Sequence, residues 1–334
     1  MSAPPSSGPV RWGILSTARI NALVIPPLHE SPESELVAVA SRDERRARAY
    51  ADEWRIPRAY GSYDALLADP EVEAVYVSLP NGAHVDWSIR ALEAGKHVLC
   101  EKPLARDPAS VERAFDVADR EGLVLMEAFM WRHHPQTVRL AELAGGGAIG
   151  ELRLVRASFS FMLRGDDVRL DPALEGGALM DVGCYCVSSA RLLAGEPTAV
   201  TAQQVLGPTG VDLRLAGTLA FGGDALALID CAFDLPDRQG LEVVGSEGAL
   251  RVATPWGCNE PGIELLRGGR SEWIEVEDAD RYRLQSDNAS RAIRGLEPPL
   301  LGRADALGQA RAIDALYRAA KTGAQARLPA SPHR

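Results

Sequence analysis

The first 130 residues alternate short apolar runs with stretches of helical periodicity, and this alternation limits the fold more than any other feature of the chain. The apolar runs do not alternate strictly with polar residues, which is typical of parallel strands covered on both faces. They lie at residues 10–15, 35–41, 73–79, 97–101 and 123–129, and the helical stretches include 43–54, 83–94 and 108–121. We therefore predict a doubly wound α/β domain over residues 10–130.

The pattern changes after Gly145-Gly146-Gly147 to longer stretches in which apolar and polar residues alternate. Such stretches predict strands with one buried and one solvated face. We expect a second domain over residues 131–330, an α+β domain with a large, mainly antiparallel and open-faced sheet. A helix from about Ala178 to Ala194 interrupts the strands, and a closing helix over 303–321 can pack back on the first domain. The Pro- and Ser-rich residues 1–9 are expected to form a flexible tail.

Composition excludes several classes of function. The net charge of -10 and the sequence pI near 5.2 argue against a nucleic-acid-binding protein, which needs clustered excess Lys and Arg. No apolar run approaches the ~18 residues of a membrane span, and we expect the Pro- and Ser-rich opening not to act as an export signal. The five cysteines are odd in number and have no metal-type spacing, so we expect no metal site and reduced thiols in a cytoplasmic protein.

The turn after the first strand stands where a dinucleotide-binding domain carries G-x-G-x-x-G, yet it has no glycine. Ser16, Ala18 and Asn21 take the three glycine positions, and serine and alanine are small enough for a backbone to approach a pyrophosphate. We predict that the pyrophosphate meets Ser16, Thr17 and the backbone amides of Ala18, Arg19 and Ile20. The alternative is an ordinary strand-to-helix turn.

The tip of the second strand bears on the choice of cofactor. An acidic residue there binds the ribose 2′-hydroxyl of NAD, whereas an arginine accommodates the 2′-phosphate of NADP. The sequence has Ser41 and Arg42 at the tip and Arg46 shortly after, which favours NADP. Asp43 lies close enough to allow NAD as well. Alternatively, Ser41 or Asp43 caps a helix whose arginines are solvated.

Two further strands end in LPNGAH (79–84) and Glu101-Lys102-Pro103, at the sheet edge where doubly wound domains bind ligands. Lys102 is one of only three lysines in an arginine-rich chain, and lysine, unlike arginine, can lose its proton in a desolvated site. With EAFMWRHHPQ (127–136) and the segment 168–187, these motifs resemble the Gfo/Idh/MocA family of NAD(P)-dependent oxidoreductases. The resemblance extends from Arg11 to about Lys321.

The resemblance implies a Rossmann domain followed by a domain whose open sheet often mediates oligomerisation, here into a homodimer or homotetramer. It also implies hydride transfer between the cofactor and a sugar or a related alcohol or ketone. His84 is then expected to shape the nicotinamide pocket, and Arg132 and Arg169 are weaker candidates for cofactor and substrate contacts. The cofactor-binding residues implied in this part of the chain are Leu79, Pro80, Asn81, His84, Glu101, Lys102 and Arg132.

The family motif D-x-x-x-H is represented by Asp181 and, in place of histidine, Tyr185. With a tyrosine at that position, the chain is similar to the sugar and dihydrodiol dehydrogenase branch of the family. The i, i+4 spacing places the side chains of Asp181 and Tyr185 on one helical face. A tyrosine ionises only near pH 10, but an ammonium nearby stabilises its phenolate. We predict that Tyr185 transfers the proton, Lys102 is its electrostatic partner, and Asp181 orients the substrate. In the second choice, Lys102 and Tyr185 exchange these roles. In the non-catalytic alternative, Tyr185 is a buried residue with a structural role only.

These observations favour an NADP-preferring dehydrogenase that oxidises an aldose such as D-xylose or D-glucose at carbon 1, or the reverse reduction. The alternatives within enzymes are a nucleotide-sugar ketoreductase and a trans-dihydrodiol dehydrogenase. A sensor that binds NADP without turnover is the alternative from another class of protein, and it would not need the three acid/base residues.

Overall fold

A six-stranded parallel sheet is the centre of the first of two compact units, in a computed structural model that describes residues 8–329. Of the expected flexible tail, residues 1–7 lie outside the described residues. The elements in chain order are β1 (Val10–Leu15), α1 (Asn21–Glu30), β2 (Ser34–Ala40), α2 (Glu44–Trp54), β3 (Arg58–Tyr60), α3 (Tyr63–Leu67), β4 (Ala74–Val77), α4 (His84–Glu93), β5 (His97–Glu101), α5 (Pro108–Glu121) and β6 (Leu125–Ala128).

The strand order is β3-β2-β1-β4-β5-β6, and every neighbouring pair is parallel. This is the doubly wound order, in which the order of successive strands reverses between β1 and β4 and a ligand binds at the carboxyl ends of the strands. All four residues of β4 are buried, which explains the unbroken apolar run there. The prediction of this fold is confirmed, but β3 was not anticipated because it has only three half-buried residues and no apolar run.

The second unit contains a nine-stranded sheet in the order β14-β13-β12-β11-β7-β10-β9-β8-β15. One pair, β7 with β10, is parallel and the others are antiparallel, as the alternating sequence pattern predicts. The bounds are α6 (Pro135–Gly145), β7 (Leu152–Met162), α7 (Cys184–Ala194), β8 (Pro197–Leu206), β9 (Asp212–Phe221), β10 (Leu226–Ala232), β11 (Asp234–Gly245), β12 (Gly248–Val252), β13 (Gly262–Arg267), β14 (Arg270–Glu275) and β15 (Ala326–Arg327).

One face of this sheet is covered and the other is open. On β7, Val155 and Ala157 are buried, whereas Arg156 between them is exposed. On β9, Leu215 and Leu219 are buried, and the residues between them are less so. Successive side chains of a strand point to opposite faces, so this two-residue period separates a core face packed under α7 from a solvated face.

The helix expected over 178–194 does not begin as an α-helix. Its first turn, Leu179–Gly183, is π-helical, and α7 follows at once from Cys184. Asp181 therefore lies in a π-helical turn and Tyr185 in the first turn of α7, so the predicted i, i+4 pair spans the junction of the two helix types.

Two further helices close the chain, α8 (Arg281–Ile293) and α9 (Arg303–Thr322). Residues 280–307, which the sequence pattern assigns to the second domain, group with the first unit. The hydroxyl of Ser290 on α8 accepts a hydrogen bond from Trp12 Nε1 at 3.1 Å and lies 3.0 Å from the hydroxyl of Ser34. Within residues 8–329, no helix is both long and apolar enough to cross a membrane.

Candidate active site

The turn after β1 keeps the backbone shape of a glycine turn without a glycine. Ser16 has φ +130°, in the region that favours glycine and is strained for other residues. Its side chain compensates with hydrogen bonds: Oγ accepts from the amide of Ala18 at 3.1 Å and lies 2.9 Å from the carbonyl oxygen of Ser78. Asn21 Nδ2 donates to the carbonyl of Ser16 at 3.0 Å. The serine hydroxyl thus holds the turn together.

This turn fits an anionic group such as a pyrophosphate. Helix α1 begins at Asn21, its N-cap residue Ile20 makes no capping hydrogen bond through its side chain, and its first turn has no acidic residue. The amides at a helix N-terminus and the helix dipole favour an anion there. The Ala18 amide already donates to Ser16, so the amides of Arg19 and Ile20 are the better placed of the predicted set.

At the tip of β2, the acidic residue is used by the protein itself. The carboxylate of Asp43 accepts from the amide of Arg46 at 2.8 Å and caps α2, and the hydroxyl of Ser41 accepts from the amide of Asp43 at 3.3 Å. The guanidinium of Arg46 donates to the carbonyl of Thr17 at 3.3 Å, linking α2 to the turn after β1. Arg42 is exposed. The capping alternative is therefore correct for Asp43, and it leaves Arg42 as the cation at the strand tip.

His84 joins two of the predicted cofactor-binding segments. Its Nε2 lies 2.7 Å from the carbonyl oxygen of Leu79, and its Nδ1 lies 2.9 Å from that of Pro103. The side chain is 1% exposed, and burial lowers the pKa of His84, with the nearby charge of Lys102 acting in the same direction. The ring therefore fixes the ends of β4 and β5 relative to each other. Pro80 and Asn81 lie between them, where a 3-10 turn begins.

The segment that carries Lys102 is held on both sides. The carboxylate of Glu101 accepts from the hydroxyl of Tyr76 at 2.5 Å and from the amide of Lys102 at 3.2 Å. The amide of Leu104 donates to the buried carboxylate of Glu127 at 2.7 Å, and the Lys102-Pro103 peptide bond is cis. These contacts fix the backbone on either side of Lys102.

Two tyrosines near Glu101 were not anticipated from the sequence. Burial raises the pKa of Tyr76 well above its ordinary value, and burial followed by the charge of Glu101 raises the pKa of Tyr282 to about 12. A signal for Tyr76 was available, because a tyrosine inside a fully buried strand must find a partner for its hydroxyl. No comparable pattern marks Tyr282, which comes from α8, far along the chain.

In the second unit, the structure brings Asp181 and Arg169 together. Nε of Arg169 donates to the Asp181 carboxylate at 2.8 Å, and another guanidinium nitrogen donates to Asp167 at 3.3 Å. The negative charge of Asp181 is the largest effect on Arg169, and it raises the pKa of this guanidinium. An aspartate paired in this way is fixed in orientation.

Tyr185 lies against an aromatic cluster. Its ring meets that of Phe159 edge to face at 5.5 Å between centroids and is 5.9 Å from that of Trp256. Phe159 and Trp256 are stacked at 4.9 Å, and the indole nitrogen of Trp256 donates to the hydroxyl of Ser189 at 3.1 Å. The Tyr185 side chain is 7% exposed. The sequence did not mark Phe159 or Trp256, because they lie on separate strands or loops.

Arg132 lies in the second unit, where its guanidinium donates to the hydroxyl of Ser188 on α7 at 3.3 Å. The neighbouring His134 caps α6 through Nδ1, which accepts from the amide of Gln136 at 3.1 Å. Among residues 8–329, no group of three or more histidine, cysteine, aspartate or glutamate side chains is arranged to hold a metal ion.

Comparisons with known proteins match both units of the chain. A family described as "Oxidoreductase family, NAD-binding Rossmann fold" matches residues 10–129, and the Gfo/Idh/MocA C-terminal domain family matches residues 137–251. The D-xylose 1-dehydrogenase (NADP⁺) 2 of Haloferax volcanii is 42% identical over 95% of this chain and 99% of its own length. The trans-1,2-dihydrobenzene-1,2-diol dehydrogenase of Danio rerio is 36% identical over 79% of this chain and 80% of its own length.

A solved structure extends the similarity to three dimensions. The 3-ketoreductase of Actinomadura kijaniata, in complex with NADP and TDP-benzene, superimposes with a TM-score of 0.88 at 33% identity, covering 93% of this chain and 98% of that one. Three observations indicate the same family: the motifs in the sequence, the doubly wound unit and these relatives. The chain belongs to the Gfo/Idh/MocA family of oxidoreductases, whose N-terminal domain is an NAD-binding Rossmann fold.

Proposed function

We propose that this family member is an NADP-preferring sugar dehydrogenase that oxidises an aldose such as D-xylose or D-glucose at carbon 1, or catalyses the reverse reduction. The observation that carries the proposal is the arrangement of α7 and the turn before it. There, Asp181 is fixed by Arg169, and the ring of Tyr185 packs against aromatic rings. A sugar needs such a combination, because an ionised carboxylate orients its hydroxyls and an apolar wall receives its C–H face. The NADP-dependent xylose dehydrogenase of Haloferax volcanii, similar along nearly the whole chain, supports the substrate class.

The chemistry divides between the two units. The first unit would bind NADP through the turn 16–20, the strand tip at 41–46 and the segments 79–84 and 101–102. Arg132, in the second unit, is a further candidate. The bound cofactor would supply the acceptor for the hydride that leaves the sugar carbon. Tyr185 takes the hydroxyl proton at its phenolic oxygen, and Lys102 stabilises the phenolate and donates to the substrate oxygen. In the second assignment, Lys102 takes the proton and Tyr185 donates to the substrate oxygen.

The preference for NADP rests on the tip of β2. Asp43 already accepts from the amide of Arg46, so its carboxylate serves as a helix cap. The guanidinium of Arg42 is then the group suited to a 2′-phosphate, which a guanidinium binds with two parallel hydrogen bonds. NAD use at lower efficiency remains compatible with this tip.

Purified protein supplied with NADP or NAD and a panel of substrates tests the proposal. The panel contains D-xylose, D-glucose, a trans-dihydrodiol and a nucleotide-linked keto-sugar, and nicotinamide absorbance is the readout. We expect turnover with an aldose and NADP, and a loss of about 100-fold or more in Lys102→Ala and in Tyr185→Phe. Absence of turnover on every substrate overturns the enzyme proposal, and normal turnover in Lys102→Ala overturns the mechanism.

A nucleotide-sugar ketoreductase is the second candidate, favoured by the Actinomadura kijaniata structure with NADP and TDP-benzene. Other solved structures of that ketoreductase carry replacements of one lysine and of one tyrosine, the two residue types proposed here to act on the proton. Turnover of the keto-sugar with little activity on free aldoses would select this candidate, and turnover of the dihydrodiol alone would select the dihydrodiol dehydrogenase. NADP binding without turnover would select the sensor.

We also propose a cytoplasmic homodimer or homotetramer formed through the open sheet face of the second unit. Leu228 and Trp273 are 40% and 57% exposed there, beside a depression of about 970 Å³ lined by residues from most strands of the sheet. Apolar side chains on an open face are typical of an interaction surface. The cytoplasmic location is supported by the five cysteines, all of them buried thiols. Sedimentation velocity of the wild-type protein and of Leu228→Arg tests the assembly. A monomeric wild type overturns the proposal, whereas an oligomeric wild type together with a monomeric variant supports it.

A further inference from the structure

Asp212 is a buried carboxylate at the first position of β9, far in sequence from every predicted site residue. The residue is 2% exposed. One carboxylate oxygen accepts from the backbone amide of Leu179 at 2.7 Å, and the other accepts from the hydroxyl of Tyr317 at 2.8 Å. Both contacts lie within the second unit.

The backbone next to Asp212 is shaped to admit the carboxylate. Gly177 has φ +131°, a conformation that residues with a side chain rarely adopt. A Cβ at this position would lie 2.1 Å from the Asp212 carboxylate and 3.0 Å from the Tyr317 hydroxyl. The absence of a side chain at position 177 thus leaves room for the carboxylate beside the start of the π-helical turn.

The backbone amide that donates to Asp212 lies at the start of the helical segment that carries Asp181 and Tyr185. Leu179 opens the turn 179–183, which contains Asp181, and Tyr185 follows on α7. The residue before the turn, Ala178, provides no side-chain cap. A carboxylate at this end satisfies an amide that the helix itself leaves without an acceptor, and it interacts favourably with the helix dipole.

Burial and the contacts of Asp212 act on its pKa in opposite directions, and burial has the larger effect. Burial raises the pKa of Asp212 to about 6, against the hydrogen bonds from Leu179 and Tyr317 and the charge of Arg106, which lower it. The Arg106 guanidinium lies 4.0 Å from the centroid of the Tyr317 ring. Cys231 on β10 also faces the carboxylate, and its thiol pKa is raised well above the ordinary value, first by burial and then by Asp212.

We propose that Asp212 is a positioning residue for hydride transfer, which holds the start of the helical segment so that Asp181 and Tyr185 keep the orientation the substrate requires. Arg169 fixes Asp181 through its side chain, whereas Asp212 fixes the backbone two residues earlier. This proposal rests on the proposed roles of Asp181 and Tyr185. A carboxylate that only stabilised the fold would leave the turnover of folded enzyme unchanged.

Asp212→Asn is the main test, because asparagine keeps the shape and can still accept from Leu179 while its amide donates to Tyr317. We expect kcat to fall about tenfold in Asp212→Asn and about 100-fold in Asp212→Ala, with KM for NADP unchanged. The ratio of wild-type to Asp212→Asn kcat should be largest above pH 7 and approach one below about pH 5, since both side chains are then neutral. A ratio that does not change with pH, or full kcat in both variants, overturns the proposal.

A second measurement reads the position of the helix without turnover. Hydrogen exchange of peptides covering 177–186 should speed up in Asp212→Asn, and Tyr317→Phe should show a smaller effect of the same sign because it keeps the carboxylate. If wild type lacks activity on every substrate, the proposed function fails while exchange still reports on Asp212. If wild type is active and the exchange of this segment is the same in all variants, the positioning proposal fails alone.

Discussion

The guanidinium of Arg169 connects two aspartates, donating to Asp181 at 2.8 Å and to Asp167 at 3.3 Å. Asp181 is the residue proposed to orient the sugar, so Arg169 controls which way that carboxylate points. The expectation that Arg169 also contacts the substrate stays a prediction. A carboxylate held in one orientation by a guanidinium suits an acceptor of hydrogen bonds from sugar hydroxyls.

Removal of this pairing should affect the sugar more than the cofactor. In Arg169→Gln, the Asp181 carboxylate loses its ion pair with Arg169, and we expect KM for the aldose to rise about tenfold and kcat to fall by a similar factor. Steady-state kinetics with varied aldose and varied NADP measure both effects. Arg270→Gln, at an exposed position on β14, is the matched control. Unchanged aldose kinetics in Arg169→Gln would contradict the orienting role.

We expect the pyrophosphate of the cofactor to occupy the space beside the small side chain of Ala18. In Ala18→Leu, the larger side chain would stand where a pyrophosphate approaches the turn, so the dissociation constant for NADP should rise about 100-fold while the melting temperature changes little. Ala22→Leu makes the same substitution at an exposed position on α1 and should bind NADP normally. Calorimetric titration with NADP gives both constants, and equal affinity in the two variants would place the cofactor elsewhere.

Arg42 should distinguish the two nicotinamide cofactors. Its substitution by alanine removes the cation proposed for the 2′-phosphate, so kcat/KM with NADP should fall at least about tenfold and that with NAD should change little. Arg48→Ala on α2 removes an exposed arginine that pairs with Glu44 and serves as the control. A parallel fall with both cofactors would show that Arg42 does not recognise the 2′-phosphate.

His97 should make the free energy of unfolding depend on pH. Burial lowers the pKa of His97 from 6.5 to about 4, and its Nδ1 accepts from the amide of Val124 at 2.9 Å. Because the folded pKa is the lower one, the contribution is full above pH 6.5 and is lost progressively as the pH falls from 6.5 to about 4. Between about pH 7 and about pH 4.5 the loss is about 2.5 kcal/mol.

Asparagine at position 97 can accept from Val124 through Oδ1 and does not titrate. We therefore expect His97→Asn to lose about 2.5 kcal/mol less than wild type over this pH interval, measured by urea unfolding at each pH. His29→Asn, at an exposed position, should follow wild type. An identical pH dependence in His97→Asn and wild type would show that His97 titrates normally in the fold.

The sequence by itself determined the class of fold and the location of most strands and helices. Buried parallel strands require unbroken apolar runs, and strands with one solvated face require alternation, so both sheets could be recognised from local pattern. The E-K-P segment and the Asp181 and Tyr185 motif determined the family. These features are local, and each depends on residues a few positions apart.

Tertiary structure decided which partner each site residue has. Ser16 replaces a glycine only because Ser78, sixty-two positions later, is beside it, and Glu101 is held by Tyr76 from a neighbouring strand. Asp43 is a helix cap, and Asp212 reaches Leu179 only where Gly177 leaves room. A short strand such as Arg58–Tyr60 and a π-helical turn have no distinctive pattern of their own. Contacts across a fold depend on the path of the backbone, which the spacing of residues along the chain does not specify.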